Sequence, residues 1–428
     1  MKVSICIAII YAFFIFFFGI NAKAVPAFAR RENVSCNMCH ANGAPHLTEF
    51  GYMYRRMAFH WPGKLGDEKQ DENGVKATNH FSAGVNLAYS YADNTSADGV
   101  KTTTTNGVNV PEVEVWPVVG GFMGNWGVWS EIDSVPQTNT DGGVKLSMAD
   151  LRYASGNPDL FFNFRGGMIS PEGFGASDQW SDDANLPLMD LLSANKNQDT
   201  LVKAWGAMGM PELGFEFGLN YQSSHLTLGI YDGFTNVTKN ADGTYSSSSE
   251  LQAATTKSNE VGMRDIRLQL DQFIGTAGAI TAGYYQGTLP LMDPIDGKTF
   301  SWLDHYSQAR LYFTAYAVPS KLDLFAGLGW AKSEFVSTNP NPDGSFENKG
   351  GFLGASYYVM PHLTLSGRLD QYYFTTDSSA TGYSLQVSLP YENRILIFHL
   401  NHTASALASA NLSSGWNNDI GFLLRFLL

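Results

Sequence analysis

A two-residue hydrophobic period runs through the chain from about residue 79 to the C-terminus. In residues 213–221, Leu, Phe or Tyr at odd positions alternates with Gly, Glu or Asn at even positions, and residues 81–91 show a similar alternation. Such alternation is typical of a β-strand with one apolar face and one polar face. In a soluble sandwich the polar face meets solvent, whereas in a membrane barrel the apolar face meets lipid and the polar face lines the lumen. The pattern therefore predicts an all-β protein of one of these two classes.

The number of these segments and the lengths of their connections favour the barrel. We count about sixteen segments, each close to the ~9–11 residues of a tilted spanning strand. Their approximate bounds are 79–92, 110–121, 124–134, 144–156, 159–170, 211–223, 225–234, 259–272, 276–288, 304–318, 321–334, 349–360, 362–375, 380–389, 392–405 and 415–428. Short connections with turn residues, such as 156–158 and 319–320, alternate with longer polar ones, such as 93–109. Short turns on one side and long loops on the other are typical of outer-membrane barrels, with both termini on the periplasmic side.

Composition agrees with a barrel and excludes one class of partner. The formal net charge of −13 argues against nucleic acid. Charged residues make up 16% of the chain and aromatic residues 13%, and there are 43 glycines. These features predict a transmembrane antiparallel β-barrel in contact with outer-membrane lipid. A secreted soluble β-protein is the competing class.

The first 24 residues resemble a secretory signal. Lys2 precedes an apolar run over residues 5–20, and Ala22-Lys23-Ala24 is a small-x-small cleavage site. The run is shorter than the ~20 residues that a spanning helix needs, so an uncleaved anchor is the lesser alternative. We therefore expect export, with the outer membrane of a Gram-negative bacterium as the destination.

A C-x-x-C-H motif, Cys36-Asn37-Met38-Cys39-His40, follows the signal and predicts covalent attachment of one haem c. Cys36 and Cys39 would form the two thioethers, and His40 would be the proximal ligand of the haem iron. The chain has 3 cysteines, and the third lies within the signal, so no disulfide competes for the pair. The alternatives are a redox dithiol, which needs no His40, and part of a zinc site, for which only His46 and His60 lie nearby.

The distal ligand of the haem iron stays open at this point. His60 and Met57 are the leading candidates, and Met53 and His46 are also within the segment. A ligand from the barrel or an open position completes the list. A methionine ligand would raise the reduction potential relative to a second histidine.

These features divide the chain into three parts: a signal peptide at 1–24, a monohaem cytochrome c segment with a polar linker at 25–78, and a barrel at 79–428. About forty residues are too few to enclose a haem alone, because a small unit buries too little of its surface. A barrel of about sixteen strands has a lumen that other segments can fill. We therefore expect the haem segment in the lumen or at its periplasmic mouth.

The alternation also places a set of charged strand residues toward the lumen: Arg165, Asp265, Arg267, Arg310, Arg368, Asp370 and Arg425.

The N-terminal segment resembles a known family over about thirty residues. The matching stretches are Pro26-Ala27-Phe28-Ala29-Arg30, the C-x-x-C-H motif, Pro45-His46-Leu47 and Phe50-Gly51. They resemble the fused monohaem cytochrome–porin family, whose best-known members are outer-membrane iron oxidases. Where members often carry Gln-Thr after the arginine, this chain has Arg31-Glu32.

The resemblance implies electron transfer across the outer membrane. The donor would be extracellular, plausibly Fe(II), and the acceptor a periplasmic electron-carrier cytochrome, which amounts to an Fe(II):cytochrome c oxidoreductase activity. The departure at Arg31-Glu32 leaves the donor open. The alternative is a porin-type solute channel in which the haem segment is a plug or sensor.

Overall fold

A computed structural model describes most of the barrel and part of the N-terminal segment. The described residues are 27–34, 36–39, 47–63, 65, 81–96, 101–108, 112–135, 143–169, 212–231, 237–239, 245–247, 265–292, 300–337, 344–360, 363–374, 378–391, 394–406 and 415–427. The signal, His40, His46 and all but one residue of the linker predicted at 65–78 lie outside them, so the expectations for these parts stay predictions.

Nineteen strands form one antiparallel sheet among the described residues. Strands β1 to β10 are Phe81–Ser96, Lys101–Val108, Glu112–Met123, Trp126–Val135, Gly143–Asn157, Leu160–Ile169, Glu212–Tyr221, Ser224–Tyr231, Val237–Lys239 and Tyr245–Ser247. Strands β11 to β19 are Asp265–Phe273, Gly278–Met292, Phe300–Val318, Leu322–Ser337, Gly344–Met360, Leu363–Phe374, Ser378–Tyr391, Arg394–Ala406 and Gly415–Leu427.

The sheet closes into a ring. Residues Phe81–Asn86 of β1 pair with β3, and residues Gly84–Ser96 pair with β19. Strand β8 pairs with β11, past the β9–β10 hairpin. The ring of described strands therefore contains β1, β3 to β8 and β11 to β19, which is sixteen strands. This confirms the all-β prediction and its strand number.

The prediction of a loop at 93–109 is partly wrong. Part of this segment is strand, because β1 extends to Ser96 and β2 occupies Lys101–Val108. Strand β2 pairs with the far half of β1, from Tyr89 to Thr95. The threonines at 102–105 explain the difference, since β-branched side chains favour extended backbone even in a polar run.

The two faces of the barrel wall have opposite character. Outward leucines are widely exposed, with Leu328 at 61% and Leu353 and Leu369 both at 63%. Inward positions on the same strands are buried and largely polar, as expected of a barrel with lipid outside and a polar lumen. Six of the predicted lumen residues are buried on this inner face: Arg165, Asp265, Arg267, Arg310, Arg368 and Asp370. Arg425 takes the register position opposite Asn86.

Three short helices precede the barrel: α1 at Ala27–Glu32, α2 at Cys36–Cys39 and α3 at Glu49–Arg56. Thr48 caps α3, since its hydroxyl oxygen accepts from the Gly51 amide at 3.1 Å. Among the described residues, no helix is both long enough and apolar enough to cross a bilayer.

A charge on the outer face should destabilise the inserted barrel. Leu353 lies in the middle of β15 at 63% exposure, and Leu353→Lys places an ammonium where the wall meets lipid. We expect a loss of about 2–4 kcal/mol if this position lies near the bilayer midplane. Urea unfolding in lipid vesicles measures it, with lumen-facing Gln386→Lys as the matched control. Equal stability of the two variants would contradict the assigned faces.

Candidate functional site in the barrel lumen

Helix α3 lies inside the barrel, close to the short turns. Tyr52 packs with Phe273 and Ala279, which flank the turn between β11 and β12. Met57 packs with Phe161 at the start of β6, beside the turn from β5. Because these wall residues are buried inward positions near the short-turn end, the described part of the segment occupies the lumen at that end. This agrees with the placement expected from the sequence.

A buried polar contact fastens α3 to the wall. The Tyr52 hydroxyl donates to the Asp271 carboxylate. The Arg56 guanidinium donates to the Tyr52 oxygen and to Thr227 Oγ1, both at 2.6 Å, and lies 3.5 Å from Asp271. Burial, together with Asp271, raises the pKa of Tyr52 well above its usual range, so the hydroxyl keeps the proton that it donates. The polar groups of Tyr52, Arg56 and Asp271 that docking buries are thus hydrogen-bonded or paired with one another.

The C-x-x-C turn rests on the start of α3. The Cys39 carbonyl accepts from the Thr48 amide at 2.8 Å, and the Thr48 hydroxyl donates to the Met38 carbonyl at 2.7 Å. Gly51 lies directly under the Cys39 carbonyl, where a Cβ atom would collide with backbone. Only glycine allows this approach. The two cysteine positions are thus held to the docked helix, while the Cys36 side chain and His40 lie outside the described part of the chain.

Aromatic side chains join α1, α3 and the barrel wall. Phe28 stacks on Phe59 at 4.6 Å between ring centroids and on Trp129 of β4 at 6.2 Å, and meets Tyr54 edge-on at 5.4 Å. Arg31 donates to the Tyr54 hydroxyl and to the Phe59 carbonyl. The result is an apolar wall beside the cysteine turn that can shield a flat, apolar group from water.

His60 has the features of a metal ligand. It is 4% exposed, and its Nδ1 lies 2.9 Å from the Met57 carbonyl oxygen. A carbonyl only accepts, so Nδ1 donates, and the buried Nε2 has no hydrogen-bond partner among the described residues. Metal-bound histidines usually donate their other ring nitrogen to such a group.

The backbone before His60 is strained. Ala58 and Phe59 have φ of 53° and 62°, in the left-handed region that non-glycine residues rarely adopt. Packing holds this turn in place, because the Ala58 carbonyl presses against Gly127 of β4, where a Cβ atom would overlap it. Such strain often marks functional positions, and here it lies immediately before His60.

Met57, the other leading distal candidate, has a different environment. It is 0% exposed and packs in an apolar cluster with Ala58, Ala154 and Phe161. Its buried contacts are those of a core side chain. The structure thus gives Met57 a packing role and gives His60 an available buried nitrogen.

Sequence reasoning missed His225, on the inner face of β8. Its exposure is 0%, its Nδ1 lies 2.8 Å from Asn220 Oδ1, and its Nε2 has no hydrogen-bond partner within the part of the chain that the structure describes. The ring packs on Tyr52 at 4.9 Å between centroids. The strand alternation could have marked it as inward, but not its contact with the docked helix.

Four arginines line an open cavity between α3 and the wall. Arg55 and Arg56 come from α3, and Arg152 and Arg165 come from β5 and β6. The alternation predicted the lumen position of Arg165 but not its meeting with α3, which depends on how the helix docks.

The barrel is similar to solved porins. It matches an anion-selective porin from Comamonas acidovorans with a TM-score of 0.51 and 13% sequence identity, over 81% of this chain and 98% of that one. The chain has a porin fold. It is also similar to the outer membrane channel DcaP of Acinetobacter baumannii, with a TM-score of 0.49 and 10% identity, over 81% and 96% of the two chains. No family model and no curated protein matches the chain. The porin fold and the exposed apolar belt are those of an outer-membrane barrel.

A methyl group at Gly51 should separate the cysteine turn from α3. Gly51→Ala places a Cβ atom against the Cys39 backbone, and we expect a local cost of about 1–3 kcal/mol. Hydrogen exchange of residues 47–60 should become about tenfold faster or more, while the barrel strands stay protected. The matched control is Gly367→Ala on β16, where a Cβ atom makes only ordinary contacts. Unchanged exchange in Gly51→Ala would contradict the packing of the turn on α3.

Proposed function

We propose that this outer-membrane barrel carries one covalent haem c in its lumen and passes single electrons across the membrane. The donor is extracellular, with Fe(II) as the first choice, and the acceptor is a periplasmic electron-carrier cytochrome. The packing of the C-x-x-C turn on α3, which itself lies against the lumen wall, supports this proposal. A bilayer insulates, so a redox centre within a barrel is a direct way to move an electron through it.

Several described residues support a haem at this place. Cys36 and Cys39 would anchor the macrocycle and His40 would be the proximal ligand, and the buried Nε2 of His60, which has no hydrogen-bond partner among the described residues, could supply the distal nitrogen. Phe28, Tyr54 and Phe59 form the apolar wall beside them. When bound, the haem alternates between ferrous and ferric iron, taking up and releasing one electron. Two histidine ligands give a lower potential than a histidine and a methionine, which affects which donors can reduce the protein.

A solute channel is the second candidate, and the porin fold favours it. The matched porin from Comamonas acidovorans is described as anion-selective, and in this chain four arginines line a cavity in the lumen. The N-terminal segment would then be a plug or sensor. Against free passage, α3 and its contacts occupy part of the lumen at the turn end.

The distal ligand can be identified by substitution. We expect His60→Ala to convert the ferric haem spectrum from low-spin to high-spin, because the sixth position loses its nitrogen. His225→Ala and Met57→Leu should keep the low-spin spectrum. His225 is the matched control, since it is also buried with an unpartnered Nε2. A low-spin His60→Ala protein would overturn the assignment, and a change in His225→Ala instead would place the ligand on the barrel wall.

The function is tested on the purified protein in detergent by a redox-titrated visible spectrum, with Fe(II) as reductant. We expect a c-type spectrum, a positive midpoint potential and prompt reduction. Cys39→Ala should abolish haem staining on a denaturing gel, whereas Cys6→Ala, within the predicted signal, should not. A haem that Fe(II) leaves oxidised would exclude iron as the donor. Absence of covalent haem in the wild-type protein would rule out the electron-transfer function and leave the solute channel as the remaining candidate.

A further inference from the structure

The cavity between α3 and the wall concentrates positive charge inside an acidic protein. The chain as a whole has a net charge of −13, yet Arg55, Arg56, Arg152 and Arg165 line this one cavity. Two of these arginines belong to the N-terminal segment and two to the barrel. The cavity is therefore complete only when the segment is docked.

The neighbouring acids are already engaged by arginines. The Asp150 carboxylate accepts two hydrogen bonds from Arg152, one from Nε at 2.5 Å and one from Nη2 at 2.8 Å. Glu216 lies 2.8 Å from Arg165 and 3.3 Å from Arg267 and also accepts from the Tyr231 hydroxyl at 2.6 Å. One carboxylate thus serves two guanidiniums on this side of the cavity.

On the other side, Asp271 faces Arg56 at 3.5 Å and also accepts from Tyr52, Gln269 and Thr281. With Arg55 included, the described cluster brings five guanidiniums together with three carboxylates. These residues are Arg55, Arg56, Arg152, Arg165, Arg267, Asp150, Glu216 and Asp271.

The guanidiniums of Arg152 and Arg165 act on Arg55. Burial, followed by the charges of Arg152 and Arg165, lowers the pKa of Arg55 to about 9, although Asp150 and Glu216 act in the opposite direction. The guanidiniums therefore repel one another across the cavity. An anion between them would remove that repulsion and would favour docking of the segment.

We propose that this cavity binds an oxyanion, a carboxylate or a phosphate, between the α3 arginines and the wall arginines. Guanidinium groups match both anions with two parallel hydrogen bonds each. The lining also contains Tyr52, Asn163 and Glu216, and the Glu216 carboxylate is paired with Arg165 and Arg267. Two sources share this chemistry: a propionate of the haem, which rests on the proposed function, and a free anion such as phosphate, which does not.

The first arm of the test uses inorganic phosphate and the full-length protein in detergent. Calorimetric titration at constant ionic strength compares wild type with Arg55→Gln, Arg55→Lys and Lys321→Gln. Lys321 is the matched control, because it is exposed in the turn between β13 and β14 and loses the same charge. For a free anion we expect binding of one phosphate per chain, weakened about tenfold or more in Arg55→Gln. Arg55→Lys should be intermediate, and Lys321→Gln should be unchanged.

The second arm measures the haem midpoint potential of the same four proteins. If a propionate fills the cavity, wild type does not bind phosphate. Arg55→Gln then lowers the potential, because loss of a nearby cation favours ferric iron. Arg55→Lys restores the potential, which a purely structural defect would not allow, and Lys321→Gln leaves it unchanged. The proposal is overturned if Arg55→Gln alters neither phosphate binding nor the potential. If the protein holds no haem, the proposed function fails and the phosphate arm alone decides the anion site.

Discussion

The pairing of β1 with β19 is the constraint on which the rest of the structure depends. Their register runs from Gly84 opposite Leu427 to Ser96 opposite Gly415 and leaves no open edge along these strands. In a bilayer every unpaired amide and carbonyl costs several kcal/mol, so a sheet in lipid must close. In a closed barrel the two-residue alternation determines which side chains face which environment: apolar side chains face lipid and polar ones face the lumen. The polar side chains of the lumen can then form hydrogen bonds and ion pairs with any segment that enters it.

The N-terminal segment forms such contacts with the lumen wall through α3. Helix α3 has 8 residues and would be marginal by itself in water. Inside the barrel, the contact of Tyr52 with Asp271 and the apolar packing of Met57 and Ala58 hold it in place. The cysteine turn then rests on a fixed helix. The same docking brings cations of the segment and the wall together, so the candidate haem site and the candidate anion site depend on one interface.

The sequence predicts the barrel well because alternation is a local signal. Sixteen segments correspond to the sixteen strands of the ring, although several bounds differ, as for β13 at Phe300–Val318. The site is harder to predict. Tyr52 and Asp271 are 219 residues apart in the sequence, so no local sequence pattern predicts their hydrogen bond. The unpartnered nitrogen of His60 follows from a left-handed turn at Ala58 and Phe59, which no glycine signals. His225 was missed because its significance lies in its contact with Tyr52.

We propose above all that the lumen holds a redox-active segment and conducts electrons rather than solutes. The most direct test places the protein in sealed vesicles, with Fe(II) outside and both a c-type cytochrome and a small fluorescent anion inside. We predict reduction of the enclosed cytochrome while the anion is retained, and loss of that reduction in Cys39→Ala vesicles. Release of the anion with the enclosed cytochrome still oxidised would contradict the account and identify the protein as a channel.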